Sequence, residues 1–143
     1  MIITNAIFSI FFIINSSGSC DSLKLPVRNG KIINENIYAD KLNKAILIEP
    51  TIDFGIYSCS DGKISAINKD DQEYQIIITQ DSLMLMYSIV DSASVLKGQV
   101  IKKGDLIGFK TNKTSNEKYI MFSVFKGTKE INAKDYLVNI NTE

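Results

Sequence analysis

The side chains able to do chemistry in this chain are carboxylates, lysines, hydroxyls and two cysteines; histidine is absent. That absence removes the His general base, the Ser-His-Asp and Cys-His nucleophile systems, and nearly every catalytic zinc site. Two cysteines are too few for a structural zinc or iron–sulfur centre. Cys59 has no imidazole to activate it and reads as a small residue at a strand edge. Glu49, Asp53 and Asp61 stand close in sequence and offer oxygen donors, but scattered carboxylates of this kind are ordinarily solvated surface charges. Sixteen Lys and Arg against sixteen Asp and Glu give a formal net charge of zero, which argues against a nucleic-acid partner.

The elements that would position these groups are short strands. A chain of 143 residues with 45% hydrophobic content suits one domain with a real core. QIIIT (75–79) and LMLMYSIV (83–90) are continuous apolar runs of the kind found in buried strands, joined by Gln80-Asp81-Ser82 as a hairpin connection. Asp61-Gly62 marks a turn, Asn68 to Asp71 a polar turn, and TNKTSNEK (111–118) a polar loop. VLKGQVIKKGDLIG (95–108) is divided by Gly98, Gly104 and Gly108. In YIMFSVF (119–125), period two puts Ile120, Phe122 and Val124 on one face and Tyr119, Met121 and Ser123 on the other. INAKDYL (131–137) either closes the sheet or makes one helical turn. Glycine turns at this rhythm define an all-β domain.

The N-terminus differs in kind. AIFSIFFII (6–14) is a nine-residue apolar run, about half the ~20 residues that span a bilayer, and it suits the core of a signal peptide. Ser16-Ser17-Gly18-Ser19 follow, then Cys20, an arrangement that resembles a bacterial lipoprotein signal. The expected organisation is a signal peptide at 1–19, a lead-in at 20–36 with Cys20 as the lipidation site, a β domain at 37–137 and a tail at 138–143. An unacylated Cys20 could instead pair with Cys59 in an oxidising compartment.

The ordered blocks resemble lysostaphin/LytM-type peptidoglycan endopeptidases, a zinc metallopeptidase family. NKAILIEPTIDFGIYSCSDG (43–62) aligns without gaps to the stretch around that family's first zinc motif. MYSIV (86–90) stands where the family has L-Y-A-H-L, and YIMFSV (119–124) where it has H-L-H-F-E-V. VLKGQVIKKGDLIG resembles the family's glycine hairpin, the most specific block. LPVRNGKI (25–32) and KDYL (134–137) resemble its opening and closing segments. The resemblance covers roughly residues 25–137 and implies a small antiparallel β-sheet or sandwich of the duplicated hybrid motif, or barrel-sandwich hybrid, type.

The resemblance also gives the missing histidines positions. The family's three zinc ligands correspond to Asn43, Leu47 and Met121, and its two assisting histidines to Ile89 and Tyr119. A catalytic zinc needs about three imidazole or anionic donors around an open position. One amide, one hydrocarbon and one thioether do not supply them, so no metal and no cofactor is expected. Asn43, Leu47, Ile89, Tyr119 and Met121, with Tyr87 nearby, become the candidate lining of a converted groove. Its exposed apolar side chains have the composition favoured at interface centres, although covering the old site could simply stabilise the fold.

Three functions follow from the resemblance. The leading one is a catalytically inactive envelope domain that binds an envelope protein, such as a cell-wall hydrolase that it regulates. The second is a peptidoglycan-binding module without hydrolysis. The third is a metalloendopeptidase whose site has moved to Glu49, Asp53 and Asp61. Contact with a membrane is expected only through the Cys20 anchor. A biotinyl or lipoyl carrier, which shares the glycine hairpin, is disfavoured because Leu85 stands between Met84 and Met86 where the modified lysine would be.

Overall fold

The computed structural model describes residues 25–33, 44–111 and 118–141. The expected signal peptide at 1–19, Cys20 and Asn43 lie outside the described residues. The strands are β1 (Lys31–Ile32), β2 (Ile46–Glu49), β3 (Gly55–Tyr57), β4 (Gly62–Asp70), β5 (Glu73–Gln80), β6 (Leu83–Val90), β7 (Ser92–Ala93), β8 (Val100–Ile101), β9 (Leu106–Phe109), β10 (Ile120–Lys126) and β11 (Lys129–Ile131). One sheet runs β1-β2-β10-β6-β5-β4-β8, with β11 paired to β10; a smaller one runs β3-β9-β7. The pairings are antiparallel, as the turn spacing predicts.

The core lies on one face of the large sheet. Ile48, Ile64, Ile76, Ile78, Leu85, Tyr87, Ile120, Phe122 and Val124 are all fully buried there, joined by Ile56 and Ile107 from the small sheet. The apolar runs of β5 and β6 are therefore one-sided, not buried on both faces as their composition suggested. Ile77, Met84 and Met86 alternate outward and are half-buried. Antiparallel sheets tolerate such a second face because nothing requires a layer over it.

Turn chemistry explains the connections. Asp71 and Asp81 begin the two hairpin turns in the left-handed region (φ 55° for both), which a short aspartate side chain tolerates. The strand β4 runs on to Asp70, so the first turn falls two residues later than the polar run suggested. Gly108 admits no side chain, because a Cβ there would come within 2.5 Å of the Ser92 carbonyl oxygen. That close approach is what lets β9 lie between β3 and β7.

Two boundaries differ from expectation. The lead-in is part of the fold from Leu25 onward: Val27 is fully buried, the Tyr57 N–H donates to the Pro26 carbonyl at 2.7 Å, and β1 pairs with β2. The closing segment is α1 (Ala133–Asn141), which carries the helix into the expected tail as far as Asn141. The Asn132 side chain caps it by accepting the Asp135 N–H at 3.0 Å, and Leu137 anchors it in the core.

Candidate functional site

Strands β2, β10 and β6 place two of the sequence positions, Leu47 and Met121, in one row with Ser88. Met121 is paired with Leu47 on one side and with Ser88 on the other. Their neighbours Ile46, Ile48, Ile120, Phe122 and Tyr87 face the core, so alternation turns Leu47, Met121 and Ser88 to the outer face. Leu47 and Met121 are half-buried there, and Tyr119, two residues before Met121, is half-buried too. Met86, Met84 and Ile77 continue the apolar surface away from this row.

Tyr87 does not belong to this surface. It is fully buried on the core side, with its ring 5.1 Å from that of Phe122. Its hydroxyl accepts the Cys59 N–H at 3.1 Å, and burial raises its pKa well above the usual tyrosine value. The period-two pattern was the available signal: Leu85 and Tyr87 share a face that Met86 and Ser88 do not.

Ile89 is held in an unusual way. Its φ is 62°, in the left-handed region that a β-branched residue normally avoids. The register of β6 against β5 shifts here, between the pairs Ile76–Tyr87 and Tyr74–Val90, so Ser88 and Ile89 form a bulge. The fully buried Lys110 secures it: its Nζ donates to the Ile89 carbonyl at 2.9 Å and pairs with Asp91 Oδ1 at 3.3 Å. The other Asp91 oxygen accepts the Thr111 N–H at 2.7 Å and the Thr111 hydroxyl at 3.1 Å. Nothing in the spacing marks Lys110, which stands between an apolar strand and the polar run that begins at Thr111 and reads as a surface charge.

Beside the bulge, a cleft of 290 Å³ is lined by Ile89, Ser88, Tyr74, Gln75, Asn68 and two carboxylates, Asp70 and Glu73. A hydrogen-bonded chain crosses its wall, from Asn68 Nδ2 to Gln75 Oε1 at 3.1 Å and from Gln75 Nε2 to Ser88 Oγ at 3.4 Å. The cleft thus offers amide and hydroxyl groups next to the apolar row.

The residues in the row do not fit a catalytic zinc. Leu47 and Ile89 have no donor atom, and the Met121 thioether is a soft neutral ligand. Two of the three alternative carboxylates are engaged elsewhere. Asp53 accepts the Gly55 N–H at 2.8 Å and the Tyr57 hydroxyl at 2.9 Å, while Asp61 accepts the Lys103 N–H at 2.8 Å. Among the described residues, no group of three or more His, Cys, Asp or Glu is placed to hold a metal ion. The Cys59 thiol is buried, and burial pushes its pKa up to about 12, which suits a packing residue and not a nucleophile.

The one-faced sheet, the bulge on β6 and the β2–β10–β6 row together define a LytM-type β domain. The chain belongs to peptidase family M23, which matches residues 41–133. Among solved structures it is similar to a zinc containing peptidase from Vibrio cholerae, with 22% identity over 63% of this chain and 29% of that one and a TM-score of 0.56. It is similar also to the catalytic domain of a mutant of EnpA, a prophage-encoded M23 protein from Enterococcus faecalis, at 17% identity, 71% and 83% coverage, and TM-score 0.58. A chain of the SpoIIQ-SpoIIIAH pore forming complex matches at 18% identity, 67% and 68% coverage, and TM-score 0.53. At these identities the likeness is one of fold, and this chain spans less than a third of the Vibrio peptidase chain. No curated protein sequence matches.

Proposed function

We propose that this protein is a non-catalytic member of peptidase family M23, exported to the bacterial envelope. There it binds an envelope protein, such as a cell-wall hydrolase whose activity it regulates. The observation that carries this reading is the Met121–Leu47 cross-strand pair, which puts a thioether and a hydrocarbon where the family resemblance calls for zinc ligands. Half-buried methionine and tyrosine beside a polar cleft are residue types enriched at the cores of protein interfaces. That a chain of this fold occurs in the SpoIIQ-SpoIIIAH complex supports a role in assembly.

A second reading has its own support. The Asn68–Gln75–Ser88 chain lining the cleft offers amide and hydroxyl groups suited to peptidoglycan peptides, which would be bound without hydrolysis. Sedimentation with purified sacculi, compared with pull-down from envelope extracts, separates the two. On the leading reading, wild type recovers a defined envelope protein, Met121→Asp and Ile89→Asp lose it, and sacculi do not carry the protein down. Recovery by both variants at the wild-type level would mean that the groove is not the interface.

A further inference from the structure

On a different part of the surface, sharing no residue with the groove, lies a cavity of 630 Å³. Its size is in the range that accepts a small organic molecule, roughly 300–1,000 Å³. Its floor is apolar or neutral: Leu25, the fully buried Val27, Tyr57, and Ser58 and Cys59, both nearly inaccessible. Its rim carries Arg28, the chain's single arginine, and Lys103, and among the described residues no carboxylate lines it. Neither cation is in an ion pair with a carboxylate among the described residues; the Arg28 guanidinium lies 4.0 Å from the centre of the Tyr57 ring.

The walls are preformed. The Tyr57 N–H donates to the Pro26 carbonyl, the Thr51 hydroxyl to the Asn29 carbonyl, and the Gly104 N–H to the Ser58 carbonyl, at 2.7, 2.7 and 2.9 Å. Tyr57 is fixed in turn by its hydroxyl bond to Asp53. A guanidinium held over a ring face still has N–H groups to offer, and their fork matches the two oxygens of a carboxylate or phosphate. Asp53 feels the charge of Arg28, but both its oxygens are already hydrogen-bonded and it does not face the cavity.

We propose that this cavity binds a small organic oxyanion, its charged group held between Arg28 and Lys103 and its apolar body against Leu25, Val27 and Tyr57. A charge pair on the rim of an apolar cavity selects for ligands with one anionic end and one apolar end. The proposal stands apart from the groove and does not depend on the reading given for it.

The test uses the whole chain, isotope-labelled, titrated with octanoate and with octyl phosphate, and with octanol and octylammonium as neutral and cationic controls. The expected result is saturable binding of one or both anions, with amide shifts confined to 25–29, 57–59 and 103–104 and little response to the controls. Tighter octanoate identifies a carboxylate ligand and tighter octyl phosphate a phosphate ester. Both cations are exposed, so Arg28→Gln with Lys103→Gln should leave the fold intact and weaken anion binding at least ~10-fold. Arg28→Lys with Lys103→Arg, which keeps both charges, should retain most of it. Absence of saturable anion binding, equal binding of octylammonium, or undiminished affinity in the doubly neutral variant would overturn the proposal.

Discussion

Ile89 shows how much a single residue can disclose. A β-branched side chain held at φ 62° costs about 1–3 kcal/mol relative to a residue at ease there, and glycine would relieve that strain. Ile77 is a fair control, since it too is a half-buried isoleucine on the outer face, on the adjacent strand, and its φ is not positive. Ile89→Gly should therefore destabilise the protein at least ~1 kcal/mol less than Ile77→Gly in urea unfolding. Equal losses would show that the conformation carries no strain. Asp53 makes a second prediction. Its pKa is held below the ordinary value first by the Gly55 N–H, then by the Tyr57 hydroxyl. A depressed carboxylate contributes stability above its unfolded pKa, about 3.9, and loses that contribution as pH falls through the lower folded value. An NMR titration should place the Asp53 midpoint below about 3.9, and Tyr57→Phe should move it upward. A midpoint indifferent to that change would remove the hydroxyl from the account.

At the scale of elements, the buried Lys110–Asp91 pair straps the end of β9 to the bulge at the end of β6. Lys110→Met would keep the length and volume of the side chain while leaving Asp91 buried without its cation. Removing one partner of such a pair costs about 3–5 kcal/mol, so chemical denaturation should show a loss of that order. A loss below about 1 kcal/mol would mean that water or another group already satisfies Asp91. The strap also marks the limit of what the sequence discloses. Alternation in 119–125 placed Ile120, Phe122 and Val124 in the core and Met121 outside it, because a strand's two faces are written in its residue order. The bulge and the strap are not so written. They depend on a register shift and on a buried lysine that reaches the end of another strand, and neither leaves a periodic trace. Tyr87 departs from the groove for a related reason: its place in MYSIV (86–90) points there, but its parity with Leu85 puts it in the core. The helix α1 was legible only as a choice between strand and turn, since it is only nine residues long and its cap, Asn132, is a common turn residue as well.

For the molecule as a whole, the absence of histidine has become a matter of particular places. The family's fold is kept, with its one-sided sheet and its glycine hairpin, and the row that faces outward from it is Leu47, Met121 and Ser88. Those side chains supply apolar surface and a hydroxyl where hydrolysis would need a metal-bound water near neutral pKa. On the proposed function, the groove binds without cutting. The direct measurement is release of soluble fragments from purified peptidoglycan by the full chain in zinc-containing buffer, with and without a chelator. Release no greater than buffer alone, unchanged by the chelator, is the expected result; protein-dependent release that the chelator abolishes would contradict a non-catalytic groove.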